Sequence, residues 1–218
     1  MSDVITGSDV CRPADRTTRS LLGYGVVAGP LYVGVALIQA LIRPGFDLLH
    51  DDVSLLANGT LGWVQIANFM VTGACVLAFA VGMARATGGW APRLLAGYGL
   101  GLIGAGLFVA DPMNGFPAGT PAGPPETVST HGILHIVFAG LGFVCLVAAC
   151  IVIARRFAVE RRRVWAAFSV VAGVAFLIAF GAIASGSSST PVVLGFWSAL
   201  ILMWIWMAAV AVQTYRRV

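Results

Sequence analysis

The sequence contains no lysine and little charge of either sign: 13 arginines and nine acidic residues make up 10% of 218 residues, whereas 59% are hydrophobic. So little polar surface cannot coat a water-soluble globule of this size, and the composition is that of an integral membrane protein. The chain also lacks ten-residue stretches of alternating polarity, which excludes a membrane β-barrel and leaves helices as the spanning elements. No stripe of basic and aromatic residues is present, so nucleic acid is not an expected partner. Cysteine is scarce as well. Cys11 lies in the N-terminal tail, Cys75 in the second apolar run, and Cys145 and Cys150 in the fourth. None falls in an external loop, so no disulfide framework is implied, and a thiol inside lipid is usually a small apolar filler.

What is abundant is apolar sequence of spanning length. About 20 residues cross about 30 Å of hydrocarbon, and six such runs occur: 21–42, 63–84, 94–110, 131–154, 164–184 and 192–212. The expected fold class is therefore an all-α integral membrane protein with six transmembrane helices in one domain, 21–213, flanked by tails 1–20 and 214–218. The first run follows Arg12, Arg16 and Arg19, like the start of a signal peptide. Its apolar core is too long for one and no small-x-small site follows, so it reads as a retained helix.

The arginines set the orientation. Twelve of them (Arg12, Arg16, Arg19, Arg85, Arg93, Arg155, Arg156, Arg161, Arg162, Arg163, Arg216 and Arg217) fall at one end of the alternating spans, and only Arg43 falls at the other. By the positive-inside rule both termini are cytoplasmic. The cluster from Arg155 to Arg163 is also suited to anionic headgroups, so the bilayer itself is the expected partner.

All three histidines, His50, His131 and His135, map to the opposite, external end, with Asp47, Asp51, Asp52, Asp111 and Glu126. His131 and His135 open the fourth span four residues apart, so on a helix both imidazoles point the same way. Asp111 ends the third span, where the negative end of a helix dipole disfavours a carboxylate and a cation or proton is expected to offset it. A Pro- and Gly-rich loop, 112–130, joins the two spans as a spacer or a folded-back lid, and Ser129 or Thr130 is suited to cap the fourth helix. Gln65 and Asn68 share a face of the second span; they are either glue between helices or supports that orient ligands on the neighbouring loop. Trp197, Trp204 and Trp206 on the sixth span read as lipid-facing or interfacial packing. Pro30, among the glycines of the first span, predicts a kink.

Three readings of this end compete. In one, His131 and His135 bind a zinc-like metal completed by Asp111, Asp52 or His50, and a polarised water attacks a lipid or other amphiphile. In the second, the same groups form a proton- or cation-linked site of a small-solute transporter. In the third, they are a hydrogen-bonded cap with no catalysis. Ser54, close to His50, Asp51 and Asp52, is a candidate nucleophile, although a triad is defined by geometry and not by closeness in sequence. A haem between His50 and His135 ranks below these readings.

The ordered run Ser54-Leu-Leu-Ala-Asn-Gly-Thr-Leu-Gly-Trp-Val-Gln-Ile-Ala-Asn-Phe69, then Gly73, Ala80-Val-Gly82, Ala110-Asp-Pro-Met-Asn-Gly-Phe-Pro-Ala-Gly119 and His131-Gly-Ile-Leu-His135, resembles the actinobacterial branch of a six-helix membrane family, domain of unknown function nine-nine-eight (DUF998). The resemblance covers essentially the whole membrane region. It implies a six-span fold in a bacterial cytoplasmic membrane and brings no established reaction. The set of Ser54, Asp111, His131 and His135 is also similar to that of the seven-helix membrane hydrolases that include alkaline ceramidases; here there are six spans, and the histidine pair opens the fourth rather than a last helix.

Overall fold

Each apolar run forms a helix in the computed structural model, which describes residues 13–218; the Cys11 and Arg12 readings above lie outside the described residues. The helices are α1 (Pro13–Ile42), α2 (Gly62–Thr87), α3 (Trp90–Leu107), α4 (Thr130–Val159), α5 (Arg163–Ala184) and α6 (Thr190–Tyr215). A short 3-10 helix, Val53–Ala57, lies between α1 and α2. Five of the six helices are long and apolar enough to cross a membrane; α3, the shortest, with Pro92 and Arg93 in its first turn, is the exception. It ends at Leu107, three residues before the expected end of the third run. α1 runs as one helix through Pro30.

Neighbouring helices are antiparallel, as paired contacts at opposite ends show. On α1 and α2, Leu21 meets Gly82 while Gln39 meets Gln65. On α3 and α4, Gly97 faces Cys145 while Gly104 faces Phe138. On α1 and α6, Gly25 faces Ala211 while Tyr32 stacks on Trp204. Consecutive helices pack in order and α6 returns to α1, which closes a six-helix ring. Small residues permit the closest approach: a Cβ on Gly101 would stand 2.6 Å from the Gly142 Cα, so α3 and α4 touch backbone to backbone.

The tryptophans of α6 face the interior instead of lipid, a correction to their sequence reading. Trp197, Trp204 and Trp206 are all buried. An indole N–H in an apolar medium needs an acceptor, and the interior supplies two of the three: Trp206 donates to Ser169 Oγ at 3.0 Å and Trp197 to the Asp51 carbonyl at 3.4 Å. At the arginine-rich end, Glu160 accepts a fork from Arg217 and a bond from Arg156, which ties the end of α4 to the C-terminal residues. These bonds, the Arg217 fork foremost, hold the Glu160 carboxyl down at about 2.

Candidate functional site

At the opposite end of the ring, three connections meet: 43–61, 108–129 and 185–189. The lone arginine there joins the first two. Arg43 is 7% exposed, and its guanidinium donates to the carbonyls of Leu56 and Asn58 while lying over the Phe116 ring, 4.7 Å from its centre. It thus joins the end of α1, the 3-10 helix and the Pro-rich loop. Burial pulls its pKa below the usual arginine value. The loop itself is ordered by its own backbone bonds, Asn114 N–H to Gly123 O and Gly115 N–H to Pro121 O. Phe116 packs edge-on against Phe46, and the Asn58 side chain donates to the Ala110 carbonyl. The loop is therefore folded back onto the α1–α2 connection, as one of its two sequence readings held.

The acids and histidines are spread over separate tasks. Asp111 lies beyond the end of α3, against the start of α4, where its Oδ2 accepts the Ser129 N–H at 2.8 Å. The expectation that a helix C-terminus disfavours it is corrected: α3 ends early, and the positive end of the α4 dipole faces the carboxylate. Ser129 caps α4 by accepting from Gly132 N–H. Gly132 is required here, because a Cβ would fall 2.1 Å from Asp111 Oδ2. His135 is buried, with Nδ1 3.0 Å from the Ala105 carbonyl and 2.9 Å from that of Phe108. Its N–H serves two carbonyls that α3 leaves open at its C-terminus. His131 is exposed and lies against the Phe108 ring.

His50 sits on the other side of the mouth, with Nδ1 on Asp47 and Nε2 on the Thr190 hydroxyl. The Leu49 N–H, together with His50, holds the Asp47 carboxyl below its ordinary range. Asp51, 1% exposed, accepts from Asp47 N–H, and burial pushes its carboxyl up. Asp52 caps the 3-10 helix, accepting from both the backbone N–H and the hydroxyl of Ser54. Among the described residues, no three His, Cys, Asp or Glu side chains come close enough to share a metal ion. Of the four donors read together from sequence, His50, His135 and Asp111 each make local bonds to other partners, and His131 lies against the Phe108 ring.

What these elements enclose is a cavity of about 310 Å³ that opens at this end of the ring. His50, Asp52, Ser54, Asp111 and Asn114 stand at its polar mouth. Its walls are apolar and aromatic, with Phe69, Ala105, Ala139, Phe143 and Phe196 on four helices. Val128, Ile136 and Ala184, which are exposed on the outside of the bundle, also line it. Exposed residues of α4 and α5 thus form part of its lining beside the polar mouth.

A family model described as a protein of unknown function, DUF998, matches residues 26–213. The chain belongs to this family. No curated protein and no solved structure matches it. In this DUF998 protein the amides Gln65 and Asn68 lie in a buried ladder: Gln39 Nε2 donates to Gln65 Oε1 at 2.9 Å, Asn68 Nδ2 to the same oxygen at 3.2 Å and to the Tyr32 carbonyl at 3.0 Å, and Thr72 Oγ1 to Asn68 Oδ1 at 3.3 Å. These bonds join α2 to α1, so the amides tie the two helices together.

Sequence reasoning missed Gln39, Arg43 as an organiser, and two cavity tyrosines, Tyr32 and Tyr98. For Gln39 a signal existed, since a buried amide needs a partner on a facing helix. For the tyrosines none did, because a phenol in an apolar run looks the same whether it faces lipid, core or cavity.

Proposed function

We propose that this DUF998 protein crosses the bacterial cytoplasmic membrane six times, with both termini on the arginine-rich cytoplasmic side, and holds the apolar part of a lipid or other amphiphile in its external cavity. α3 serves as the sixth span despite its lower hydropathy, because α2 and α4 flank it and at about 1.5 Å per residue its 18 residues reach about 27 Å. The observation that carries the ligand reading is the cavity, with apolar walls and a polar mouth; the exposed residues of α4 and α5 in its lining, Ile136 and Ala184, are where we place its outlet toward lipid. A transport path along the bundle axis has less support. The buried ladder of amides stops at Thr72, and from there to Arg85 α2 carries Cys75 and otherwise only apolar residues.

The test is native mass spectrometry of the protein released from detergent, beside an Ala139→Trp variant that fills the cavity. The parent is expected to carry an amphiphile that the variant lacks; equal lipid adducts on both would end the reading. Orientation is checked by labelling intact cells. A cysteine at Gly119 is expected to react with an impermeant maleimide and one at Val159 to stay unlabelled, and the reverse pattern would invert the topology.

A second reading, hydrolysis of the bound amphiphile, is favoured by one contact, the Ser54 hydroxyl on Asp52 at the cavity mouth. His50 lines the same mouth with both ring nitrogens engaged by Asp47 and Thr190, so Asp52 is the base within reach of Ser54. Metal dependence is not part of this reading, since among the described residues no three His, Cys, Asp or Glu side chains gather around one point. Loss of ester cleavage in Ser54→Ala, with the ligand still bound, would establish it; unchanged cleavage would remove it.

A further inference from the structure

The floor of the cavity is chemically unlike its walls. Tyr32 on α1 and Tyr98 on α3 both line it, each 2% exposed, and both stack on Trp204 of α6, at 5.3 and 5.9 Å between ring centres. Tyr32 lies ten residues before the end of α1 and Tyr98 nine before the end of α3, about 15 and about 14 Å along the axes from those helix ends at about 1.5 Å per residue. Neither hydroxyl has a hydrogen-bond partner in the protein among the described residues. The Trp204 Nε1 beside them is likewise buried without a partner.

Two phenol donors at the bottom of an apolar cavity are a costly arrangement for a hydrocarbon ligand. A methyl or methylene end packed there would leave both O–H groups desolvated and unpaired, and in a low dielectric that cost is close to a lost hydrogen bond each. A ligand that ends in an oxygen acceptor removes the cost and gains the bonds. Phe69, Phe143 and Phe196 around the floor present flat faces and edges that suit a planar group as well as a chain. Building on the proposal that the cavity holds a lipid-soluble molecule, we infer that its ligand carries a carbonyl-type oxygen at the buried end, hydrogen-bonded by Tyr32 and Tyr98. The apolar remainder lies toward the outlet between α4 and α5. Such an oxygen can belong to a quinone ring or to an open-chain ketone or ester, and the hydroxyls recognise what these share.

The experiment compares matched probes with and without the oxygen, by equilibrium dialysis of the protein in lipid nanodiscs against empty nanodiscs. Duroquinone is paired with durene for the ring, and 2-tridecanone with tridecane for the chain. The parent is expected to bind at least one oxygen-bearing probe about tenfold more tightly than its hydrocarbon partner. In Tyr32→Phe/Tyr98→Phe that preference is expected to fall to near unity, with the hydrocarbon bound as before. Whichever pair shows the preference identifies the ligand class.

Because the two hydroxyls bond to no protein group, the double variant is expected to melt no lower than the parent, so lost preference cannot be ascribed to lost folding. A preference that persists in the double variant overturns the tyrosine assignment. Hydrocarbons bound with no preference in either pair, as when water satisfies the phenols, overturn this inference and leave the cavity reading standing. No probe bound above empty nanodiscs overturns both.

Discussion

Replacing Arg43 should loosen the histidine-bearing end of the bundle, and the structure says by how much. Its guanidinium makes two charge-assisted bonds to the Leu56 and Asn58 carbonyls and lies over Phe116. Each such bond contributes about 1.5–3 kcal/mol and the ring contact about 0.5–2 kcal/mol. Against this stands the desolvation of a nearly buried cation, which is what lowers its pKa. In Arg43→Met the stem still packs, the desolvation cost is relieved and two buried carbonyls lose their donors, so the net loss should be about 3 kcal/mol. For a chain of this size that is about 6–12 °C in melting temperature. Arg43→Lys keeps the charge without the planar fork and should lose about half as much.

The assay is the loss of helical ellipticity in detergent at one fixed scan rate, since membrane proteins often unfold irreversibly. It is run beside limited proteolysis of the 108–129 loop. Arg43→Met is expected to melt lower and to be cleaved faster in that loop, while Phe116→Ala, which spares both carbonyl bonds, shows a smaller drop in melting with similar cleavage. If Arg43→Met melts within about 2 °C of the parent and its loop resists protease equally, Arg43 does not hold the 43–61 and 108–129 connections together.

Three other outcomes follow from the same contacts. Gly132→Ala places a methyl 2.1 Å from Asp111 Oδ2 and should cost about 2 kcal/mol by thermal melting, whereas in the Asp111→Ala background the same change should cost much less; equal costs would mean the two do not touch. Asp51 has a raised carboxyl pKa because it is buried, so the folded state holds its proton more tightly than the unfolded one, and stability falls as pH rises above the ordinary value near 3.8. Asp51→Asn should therefore melt higher than the parent at pH 8 and no higher at pH 3; a gain of the same size at both would refute the assignment. Glu160 is the opposite case, held down at about 2 by Arg217 and Arg156, and its contribution is present above about 4.5 and lost as pH falls toward 2. Glu160→Gln should cost about 0.5–1 kcal/mol at pH 7 and nothing at pH 2, with pH-dependent melting curves as the measurement.

The presence of the helices was legible in the sequence because hydrophobic run length is a local property, read within one segment. Charge placement was legible too: arginines at one end and histidines with most of the acids at the other follow from counting alternate loops. The α3 boundary was misjudged because an apolar stretch, Phe108 to Ala110, continues past the last helical turn in extended backbone. That error moved Asp111 from the tail of one helix to the head of the next in the real fold, which inverted the sign of its dipole interaction.

By itself the sequence determined that the chain is a multi-helix membrane protein, that it belongs with the DUF998 family, and that polar chemistry gathers at one end. Only the tertiary structure decided how that chemistry is used. His135 meets the Ala105 and Phe108 carbonyls, 30 and 27 residues away, and His131 meets the Phe108 ring, partners that the spacing of the two histidines does not name. Whether a tyrosine faces lipid or a cavity, and whether a lone arginine is a surface charge or the tie between two connections, depends on partners tens of residues distant. Hydropathy measures the tendency of a residue to leave water. It does not say which other residue it will meet, and in a bundle where nearly every helix face is apolar, that choice is made by packing shape and by the few hydrogen bonds that must be satisfied.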